Sequence, residues 1–236
     1  MTDSVDALIA MAIAEDLAEG VDITSAATIP EMQEDLAQFV NRKSGVIAGI
    51  AVAIKVLKYV GVEDIRVIVA DGQEVQAGTI ILEAKGKTRQ LMLAERTALN
   101  FLSHLSGIAT ETRRWVDAVS TTPCQIRDTR KTTPGWRLLE KAAVRAGGGI
   151  NHRLSLSDAA LIKDNHIVAA GGALKAFELV RNNFPNALIE IDFEQLFKIV
   201  DLNFYQRIWK IISNEFEGLK RSPGRHNVIF LDDRCI

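Results

Sequence analysis

The stretch at residues 128–167 reads DTRKTTPGWRLLEKAAVRAGGGINHRLSLSDAALIKDNHI and decides the fold class. A short strand is predicted just before it, at 125–127, and a turn rich in Thr, Gly and Pro follows. The apolar spacing then predicts a helix over 136–146, which ends at a loop of three glycines. After this loop, the apolar run at 159–162 predicts another short strand. The order is therefore strand, turn, helix, loop and strand.

The same alternation continues downstream, with a helix predicted over residues 174–182 and a strand over 188–191. Strands that alternate with helices favour a parallel α/β sheet or barrel. In such folds the functional groups gather at the carboxyl ends of the strands. Functional residues are therefore expected in the turns that follow the predicted strands.

Upstream, the sequence changes character. Apolar spacing predicts a helix over residues 4–19 and another over 91–119, with Arg96 near the start of the second. Residues 36–54 and 65–86 are predicted to form short strands separated by glycine-containing turns. The second of these regions resembles the half-barrel hairpin of biotinyl and lipoyl carriers. It has no lysine at a hairpin tip, so it is expected to be scaffold.

The bulk composition indicates a globular chain with a substantial core. It has 236 residues, 47% of them hydrophobic, and a net charge of −2, which gives no reason to expect nucleic acid or an acidic membrane as partner. The longest apolar run, residues 46–54, is too short to span a bilayer, and the acidic residues among positions 1–20 argue against a signal peptide. Cys124 and Cys235 fit neither a disulfide framework nor a metal site. We expect a soluble, cytoplasmic protein.

Positive charge is concentrated in one part of the chain. Residues 127–166 contain eight Lys or Arg against four Asp or Glu, a local charge of +4, so the rest of the chain sums to −6. A basic cluster in an acidic protein indicates a small anionic ligand more than a polyanion.

Two adjacent cations, Arg130 and Lys131, stand among threonines in the turn after the first of these strands. Hydroxyls and backbone amides at a strand-to-helix turn suit phosphate or carboxylate oxygens, and an arginine adds a planar fork for bidentate contact. The alternative is that both are ordinary surface cations. The candidates that follow them in the sequence make that alternative the weaker one.

The glycine loop and the second strand each lead into further candidates. Three glycines allow a backbone to approach a ligand, and His152 and Arg153 then supply a donor and a fixed positive charge. Lys163 follows directly after the strand predicted at 159–162, which is the favoured position for function in an α/β barrel. A structural role and a functional one are equally open for His166, and His104 is expected to be structural.

These residues resemble a known family. The stretch at 128–167 is similar to the signature region of the quinolinate phosphoribosyltransferases, also called nicotinate-nucleotide pyrophosphorylases (carboxylating). Three upstream segments resemble the same family in the same order: EDLAEGVDITS at Glu15–Ser25, NRKSGVIAGI at Asn41–Ile50 and AERTALNFLSHLSGIAT at Ala94–Thr110. The likeness covers roughly residues 8–191.

The resemblance implies an α/β fold in two parts. An N-terminal α/β sandwich domain over residues 1–115 would contain the half-barrel hairpin, and an incomplete α/β barrel would follow over 116–236. It also implies the reaction: the ring nitrogen of quinolinate joins C1 of the ribosyl group of phosphoribosyl pyrophosphate, pyrophosphate leaves, and loss of carbon dioxide gives nicotinate mononucleotide. A substrate-bound Mg²⁺ is implied as cofactor, and no metal site formed by protein side chains alone is expected.

The same resemblance assigns roles to particular residues. The implied catalytic residues are Lys131, Lys163, Glu190 and Asp192. The implied substrate-binding residues are Arg96, Arg130, Lys131, His152, Arg153, Lys163 and Asp232. Arg96 matches an arginine that reaches into the pocket of a neighbouring subunit, so a homodimer is expected. Clustered cations would bind both anionic substrates and stabilise the charge that develops on the leaving pyrophosphate.

The sequence departs from the family pattern near its end. After Glu190, either Asp192 replaces the expected second glutamate of the strand, or residues are missing and Asp192 belongs to a following helix. Residues 193–236 are rich in aromatics, and only 227–233 resembles the next family strand, with Asp232 near its end. A truncated or frameshifted product is one expectation, and a replacement sheet edge with retained activity is the other.

Two other functions stay open. The chain could be a non-catalytic or decaying homologue that binds quinolinate but lacks the phosphoribosyl half of the site. It could also be the molybdenum-transport-associated paralogue, which shares the TRKT and GGG-x-x-HR pattern. The run Lys163-Asp164-Asn165-His166 favours the transferase over this paralogue.

Overall fold

The computed structural model describes residues 2–192. The described residues form two compact units, one over residues 2–152 and one over 153–192. Asp232 and the strand predicted at 227–233 lie outside the described residues. No helix among the described residues is both long and apolar enough to cross a membrane. The cytoplasmic location stays a prediction.

The first unit contains both helices and strands, without a regular alternation of the two. Its helices are α1 (Thr2–Leu17), α2 (Ile23–Thr28), α3 (Ile50–Tyr59), α4 (Thr88–Ala118) and α5 (Arg137–Ala146). Its strands are β1 (Glu34–Val40), β2 (Gly45–Val46), β3 (Asp64–Val67), β4 (Glu74–Val75) and β5 (Ile80–Lys87). The helices predicted at 4–19, 91–119 and 136–146 are confirmed as α1, α4 and α5. The strands predicted within 65–86 are confirmed as β3, β4 and β5.

Strand β5 lies at the centre of a three-stranded antiparallel sheet, between β1 and β3. Leu82 and Ala84 of β5 are fully buried whereas Lys85 is exposed, the alternation of a strand with one buried face. Leu57 of α3 and Phe101 of α4 belong to the same apolar core. The two short strands β2 and β4 pair separately, also antiparallel. The two helices and the sheet therefore share one core.

The strand prediction over 36–54 is wrong in its last part, because α3 begins at Ile50. Gly49 has a left-handed backbone, with φ at 99°, and ends the extended segment. Beyond it, Ile50, Ala53 and Leu57 recur at helical spacing and are all buried. A short apolar run fits a buried strand and a buried helix equally well, so the sequence pattern alone did not separate them.

The second unit contains a short parallel sheet. Its elements are β6 (Ala160–Ile162), α6 (Asp164–Ala170), α7 (Ala173–Asn183) and β7 (Ile189–Ile191). Strands β6 and β7 pair in parallel, with Leu161 opposite Glu190. The strands predicted at 159–162 and 188–191 and the helix at 174–182 are confirmed, and α6 is an addition to the prediction. The strand predicted at 125–127 is wrong, because Arg127 forms only an isolated bridge with Ile150. The chain therefore has a mixed α/β fold, while the barrel and the division at 115/116 stay predictions.

Candidate active site

Residues 128–135, here called the cationic turn, lie beside the glycine loop. Arg127 and Ile150 form a parallel bridge, in which the backbone N of Asp128 donates to Ile150 O at 3.2 Å. The backbone N of His152 then donates to Asp128 Oδ1 at 2.8 Å. The structure thus brings the predicted site residue His152 to the start of the cationic turn.

Arg130 is half-buried, and its Nε is shielded from solvent. This Nε has no hydrogen-bond partner within residues 2–192, and the same is true of Nε in Arg153 of the second unit. A buried donor without a partner costs about 1–3 kcal/mol, which a bound anion would recover. Lys131 is exposed, and its backbone N donates to Thr129 Oγ1 at 3.0 Å. The geometry of the turn therefore suits an anionic ligand.

Four polar residues that sequence reasoning missed hold these segments in place. Lys141 is 2% exposed and forms an ion pair with Asp128, whose other carboxylate oxygen accepts from the side-chain amide of Asn151. Glu140, which is 8% exposed, accepts a hydrogen bond from the backbone N of Thr133 at 3.1 Å. The signal that could have found the pair on α5 is the presence of two adjacent charges inside the otherwise apolar run LLEKAAV.

The glycine loop packs against α4 through two of its three glycines, and the approach of its backbone to a ligand stays a prediction. A Cβ on Gly147 would lie 2.4 Å from Ala109 O and 2.6 Å from Thr112 Cβ, and a Cβ on Gly149 would lie 2.9 Å from Thr112 Cγ2. Ala109 and Thr112 both belong to α4. Only Gly148, with φ at 93°, is exposed. Gly147 and Gly149 therefore lie so close to α4 that a larger side chain has no room at either position.

In the second unit, Lys163 and Asp192 stand at the carboxyl ends of neighbouring parallel strands. Lys163 directly follows β6 and is exposed, and its backbone N donates to His166 Nδ1 at 2.9 Å, which gives His166 a structural role at the start of α6. Asp192 N donates to Ile162 O at 2.8 Å and continues the β6–β7 ladder. Asp192 thus extends β7, on the same side as Glu190 because side chains alternate along a strand.

Arg153 stands at the start of a loop that Asp158 organises. The carboxylate of Asp158 accepts hydrogen bonds from Leu154 N at 2.6 Å and Ser155 N at 2.9 Å. Arg153 Nη1 donates to Ala159 O at 2.9 Å. The hydrogen bond from Leu154, supported by those from Ser155 and opposed by burial, lowers the pKa of Asp158 to about 2.

We expect Asp158→Asn to loosen this loop, because the carboxylate is the acceptor that orders it. A depressed pKa means that the ordering is complete above the ordinary aspartate pKa of about 4 and is lost as the pH falls through about 2. At about pH 5, hydrogen exchange of the Leu154 and Ser155 amides should be faster in the variant than in the parent. Equal exchange rates in the two proteins would contradict this role.

Arg96 lies in the first unit, exposed on α4, at a cleft of about 600 Å³. The cleft also contains the charged residues Arg42, Lys43, Glu95, Glu111 and Arg114. Further along α4, His104 Nε2 lies 2.9 Å from Glu140 Oε1, and Thr112 meets the glycine loop. The α4 residues that contact α5 and the glycine loop are thus different from Arg96.

The described residues offer few ligands for a metal ion. Within residues 2–192, no three His, Cys, Asp or Glu side chains stand close enough together to hold one. Mg²⁺ usually keeps several waters and binds through one or two carboxylates plus substrate phosphates. Glu190 and Asp192, alternate residues at the end of β7, fit that requirement.

Two family models match the chain. The model described as the N-terminal domain of quinolinate phosphoribosyl transferase matches residues 22–106, and the model of its C-terminal domain matches residues 108–203. The "Nicotinate-nucleotide pyrophosphorylase [carboxylating]" of Mycobacterium leprae is 50% identical over 188 residues, which are 78% of this chain and 66% of that protein. The chloroplastic protein of the same name from Arabidopsis thaliana is 41% identical over 197 residues, covering 82% of this chain and 55% of that protein.

Solved structures show the same likeness. The nicotinate-nucleotide pyrophosphorylase of Francisella tularensis has a TM-score of 0.79 and 38% identity, covering 88% of this chain and 71% of that one. NadC from Streptococcus pyogenes has a TM-score of 0.79 and 33% identity, and the match covers 90% of this chain and 81% of that one. This chain spans between about half and two thirds of the length of the curated relatives that it matches.

Proposed function

Because the chain belongs to the quinolinate phosphoribosyltransferase family, we propose that it transfers the phosphoribosyl group of phosphoribosyl pyrophosphate to quinolinate. The products are nicotinate mononucleotide, which serves NAD biosynthesis, pyrophosphate and carbon dioxide. The observation that carries the proposal is the cationic turn, where the buried Nε of Arg130 has no partner among the described residues and His152 lies at the start of the turn.

Quinolinate carries two ring carboxylates, and we assign their binding to Arg130, His152 and Arg153. An arginine fork meets a carboxylate with two parallel hydrogen bonds, which also orients the ring. Lys131 and Lys163 are assigned to the phosphates, because a lysine ammonium suits phosphate as a flexible point charge. Asp232 keeps its proposed role at the ribosyl substrate and lies outside the described residues.

The proposed chemistry requires both negatively charged and positively charged side chains. The ring nitrogen of quinolinate forms a bond to C1 of the ribose while the bond from C1 to pyrophosphate breaks, and pyrophosphate leaves with the bonding electrons. Glu190 and Asp192 would stabilise the positive charge that develops on the ribose, as carboxylates do in glycoside hydrolysis. Lys131 and Lys163 would stabilise the negative charge on pyrophosphate.

The second step removes carbon dioxide from the ring. The carboxylate next to the ring nitrogen leaves as carbon dioxide, and the positively charged ring nitrogen stabilises the electron pair left on the ring carbon. A proton then replaces the lost group. Mg²⁺, held by Glu190 or Asp192 together with substrate oxygens, would add positive charge at the leaving pyrophosphate in the first step.

We also propose the two-part architecture of the family. Residues 1–115 would form an α/β sandwich, and the antiparallel β1–β5–β3 sheet packed with α3 and α4 supports this. Residues 116–236 would form an incomplete α/β barrel, and the parallel pairing of β6 with β7 supports that.

The test is a direct assay on the purified chain. Quinolinate labelled in the carboxylate next to nitrogen is incubated with phosphoribosyl pyrophosphate and Mg²⁺. Labelled carbon dioxide and nicotinate mononucleotide should form in equal amounts. A chain that binds quinolinate in calorimetry but forms neither product would instead be a non-catalytic binder. A chain that binds neither substrate would refute the proposal, and the molybdenum-transport alternative would then be tested.

We propose in addition that the chain acts as a homodimer in which Arg96 serves the site of the partner subunit. Arg96→Ala and Arg130→Ala should then each abolish most activity, while a mixture of the two, refolded together, should regain activity. Random pairing gives half of the dimers one intact site out of two, so about a quarter of the parental activity is expected. A mixture no more active than its components would contradict the shared site.

A further inference from the structure

Helix α5 presents two buried charged residues in succession. Glu140 is 8% exposed and Lys141 is 2% exposed. Charged side chains are almost never so deeply buried unless they are paired. Each of the two contacts one end of residues 128–133, the part of the cationic turn that carries Arg130 and Lys131. The two cations that are proposed to bind substrate therefore lie between two attachment points on one helix.

Lys141 holds the first end of the turn. Its ammonium group pairs with Asp128 and donates to His152 O at 3.1 Å. Asp128 in turn accepts from His152 N at 2.8 Å, and the side-chain amide of Asn151 donates to both Asp128 and Lys141 O. One buried lysine therefore contacts both the start of the cationic turn and His152, and holds them next to each other.

Glu140 holds the other end. Its Oε2 accepts from Thr133 N at 3.1 Å, and its Oε1 lies 2.9 Å from His104 Nε2 on α4. Burial raises the pKa of Glu140, but hydrogen bonds from Thr133 and His104 outweigh it, so the net shift is downward. The carboxylate form is thus the one that these contacts favour, and it links the turn to two helices.

We propose that Glu140 and Lys141 are positioning residues for substrate binding, which act by holding the two ends of the cationic turn. The inference rests on the proposed function of the turn. Lys141 does not bind the substrate itself, because it is buried and its ammonium group already contacts Asp128 and His152 O. The competing explanation is that both residues only stabilise the fold, and a buried ion pair is weak evidence for that.

A purely electrostatic role and a positioning role predict opposite changes in quinolinate affinity when Glu140 is removed. Glu140 is therefore a sharper test than Lys141. A carboxylate near an anion site repels the ligand, so if charge alone mattered, its removal would strengthen quinolinate binding. If Glu140 positions the turn, its removal frees Thr133 and weakens binding. Glu140→Gln removes the charge but keeps an oxygen that can accept from Thr133 N, whereas Glu140→Ala removes both.

The experiment compares these two variants with the parent in the full chain. Calorimetry measures quinolinate affinity, and hydrogen exchange measures the backbone amides of residues 128–135. We expect Glu140→Ala to weaken binding about 10-fold and to speed exchange in the turn, the scale of one lost hydrogen bond to a charged group. Glu140→Gln should stay within about threefold of the parent, because the acceptor for Thr133 is retained.

Lys141 is tested with Asp128, so that no unpaired charge stays buried. The double variant Lys141→Met with Asp128→Asn keeps side-chain volume and should fold, since a buried ion pair can often be replaced by uncharged groups. We expect weaker quinolinate binding and faster exchange both in the cationic turn and around His152.

A matched control separates positioning from general loss of stability. Arg89 of the same unit donates through Nε to Ile29 O at 2.8 Å and has no contact assigned to the site. Arg89→Met should lower the melting temperature without changing the quinolinate affinity of the folded protein. Two results would overturn the inference: Glu140→Ala binding at least as tightly as the parent, or unchanged exchange in the turn. If the parent itself binds no quinolinate, the proposed function fails and the exchange measurement alone decides the inference.

Discussion

Gly147→Ala is expected to destabilise the first unit by about 3 kcal/mol, at the upper end of the cost of overpacking. The added Cβ would stand 2.4 Å from Ala109 O, which is backbone of α4 and has little freedom to move. The φ of Gly147 is −72°, which any residue adopts, so the effect is steric. For a chain of this size the melting temperature should fall by about 6–12 °C. Quinolinate binding should weaken as well, because the loop leads to His152.

A second glycine supplies the control. Gly107 lies inside α4, and a Cβ there would meet no described atom within 4 Å. Gly107→Ala should raise stability by about 0.5–1 kcal/mol, as expected when alanine replaces glycine within a helix. Melting temperatures that are equal for the two variants would show that the glycine loop and α4 are not in close contact.

Arg130→Ala is expected to weaken quinolinate binding by about 2 kcal/mol or more, which is a loss of about 30-fold. The guanidinium holds a buried Nε without a partner among residues 2–192, so it is prepared to donate to an anion without breaking another bond. Arg130→Lys keeps the charge but loses the fork, and its affinity should lie between those of the parent and the alanine variant. Calorimetry with quinolinate alone measures the effect.

The control is a surface arginine in the same unit. Arg66 of β3 has a side chain that is 77% exposed and lies 3.4 Å from Glu83. Arg66→Ala removes the same charge and should change the affinity less than twofold, because exposed charges are screened by solvent and salt. An unchanged dissociation constant in Arg130→Ala would remove Arg130 from the proposed pocket. A large effect of Arg66→Ala would mean that net charge, not geometry, governs binding.

Much of the fold could be predicted from periodicity. Long amphipathic segments such as α4 and α5, and the strands β6 and β7, are in the places that the pattern indicated. The failure at α3 has a physical reason, because a short apolar run is compatible with either structure and only the left-handed Gly49 marks the change. The six-residue helix α2 was missed because it is too short to show a period.

The residue types of the candidate site could be predicted from the sequence. Which of its cations pair with other protein groups could not. Residues 127–166 contain eight Lys or Arg, and their number predicts a small anionic ligand. In the structure Lys141 is committed to Asp128 and Arg145 to Asn151, so those two serve the protein. Pairing depends on which face of α5 is buried, and charge counting carries no information about that. The packing of Gly147 and Gly149 against α4 likewise depends on which helix lies beside the loop, and the sequence pattern carries no information about that.

Helix α4 spaces three of its residues at equal intervals. Arg96, His104 and Thr112 are eight residues apart, and at about 1.5 Å of rise per residue each interval is about 12 Å. His104 meets α5 and Thr112 meets the glycine loop, and between Arg96 and His104 the ring of Phe101 stacks on that of Trp136 with 4.5 Å between the centroids. Arg96 lies nearer the start of α4 than any of these contacts, about 7.5 Å of helical rise from Phe101. If Arg96 serves the site of the partner subunit as proposed, specific activity should fall when the protein is diluted until the subunits separate.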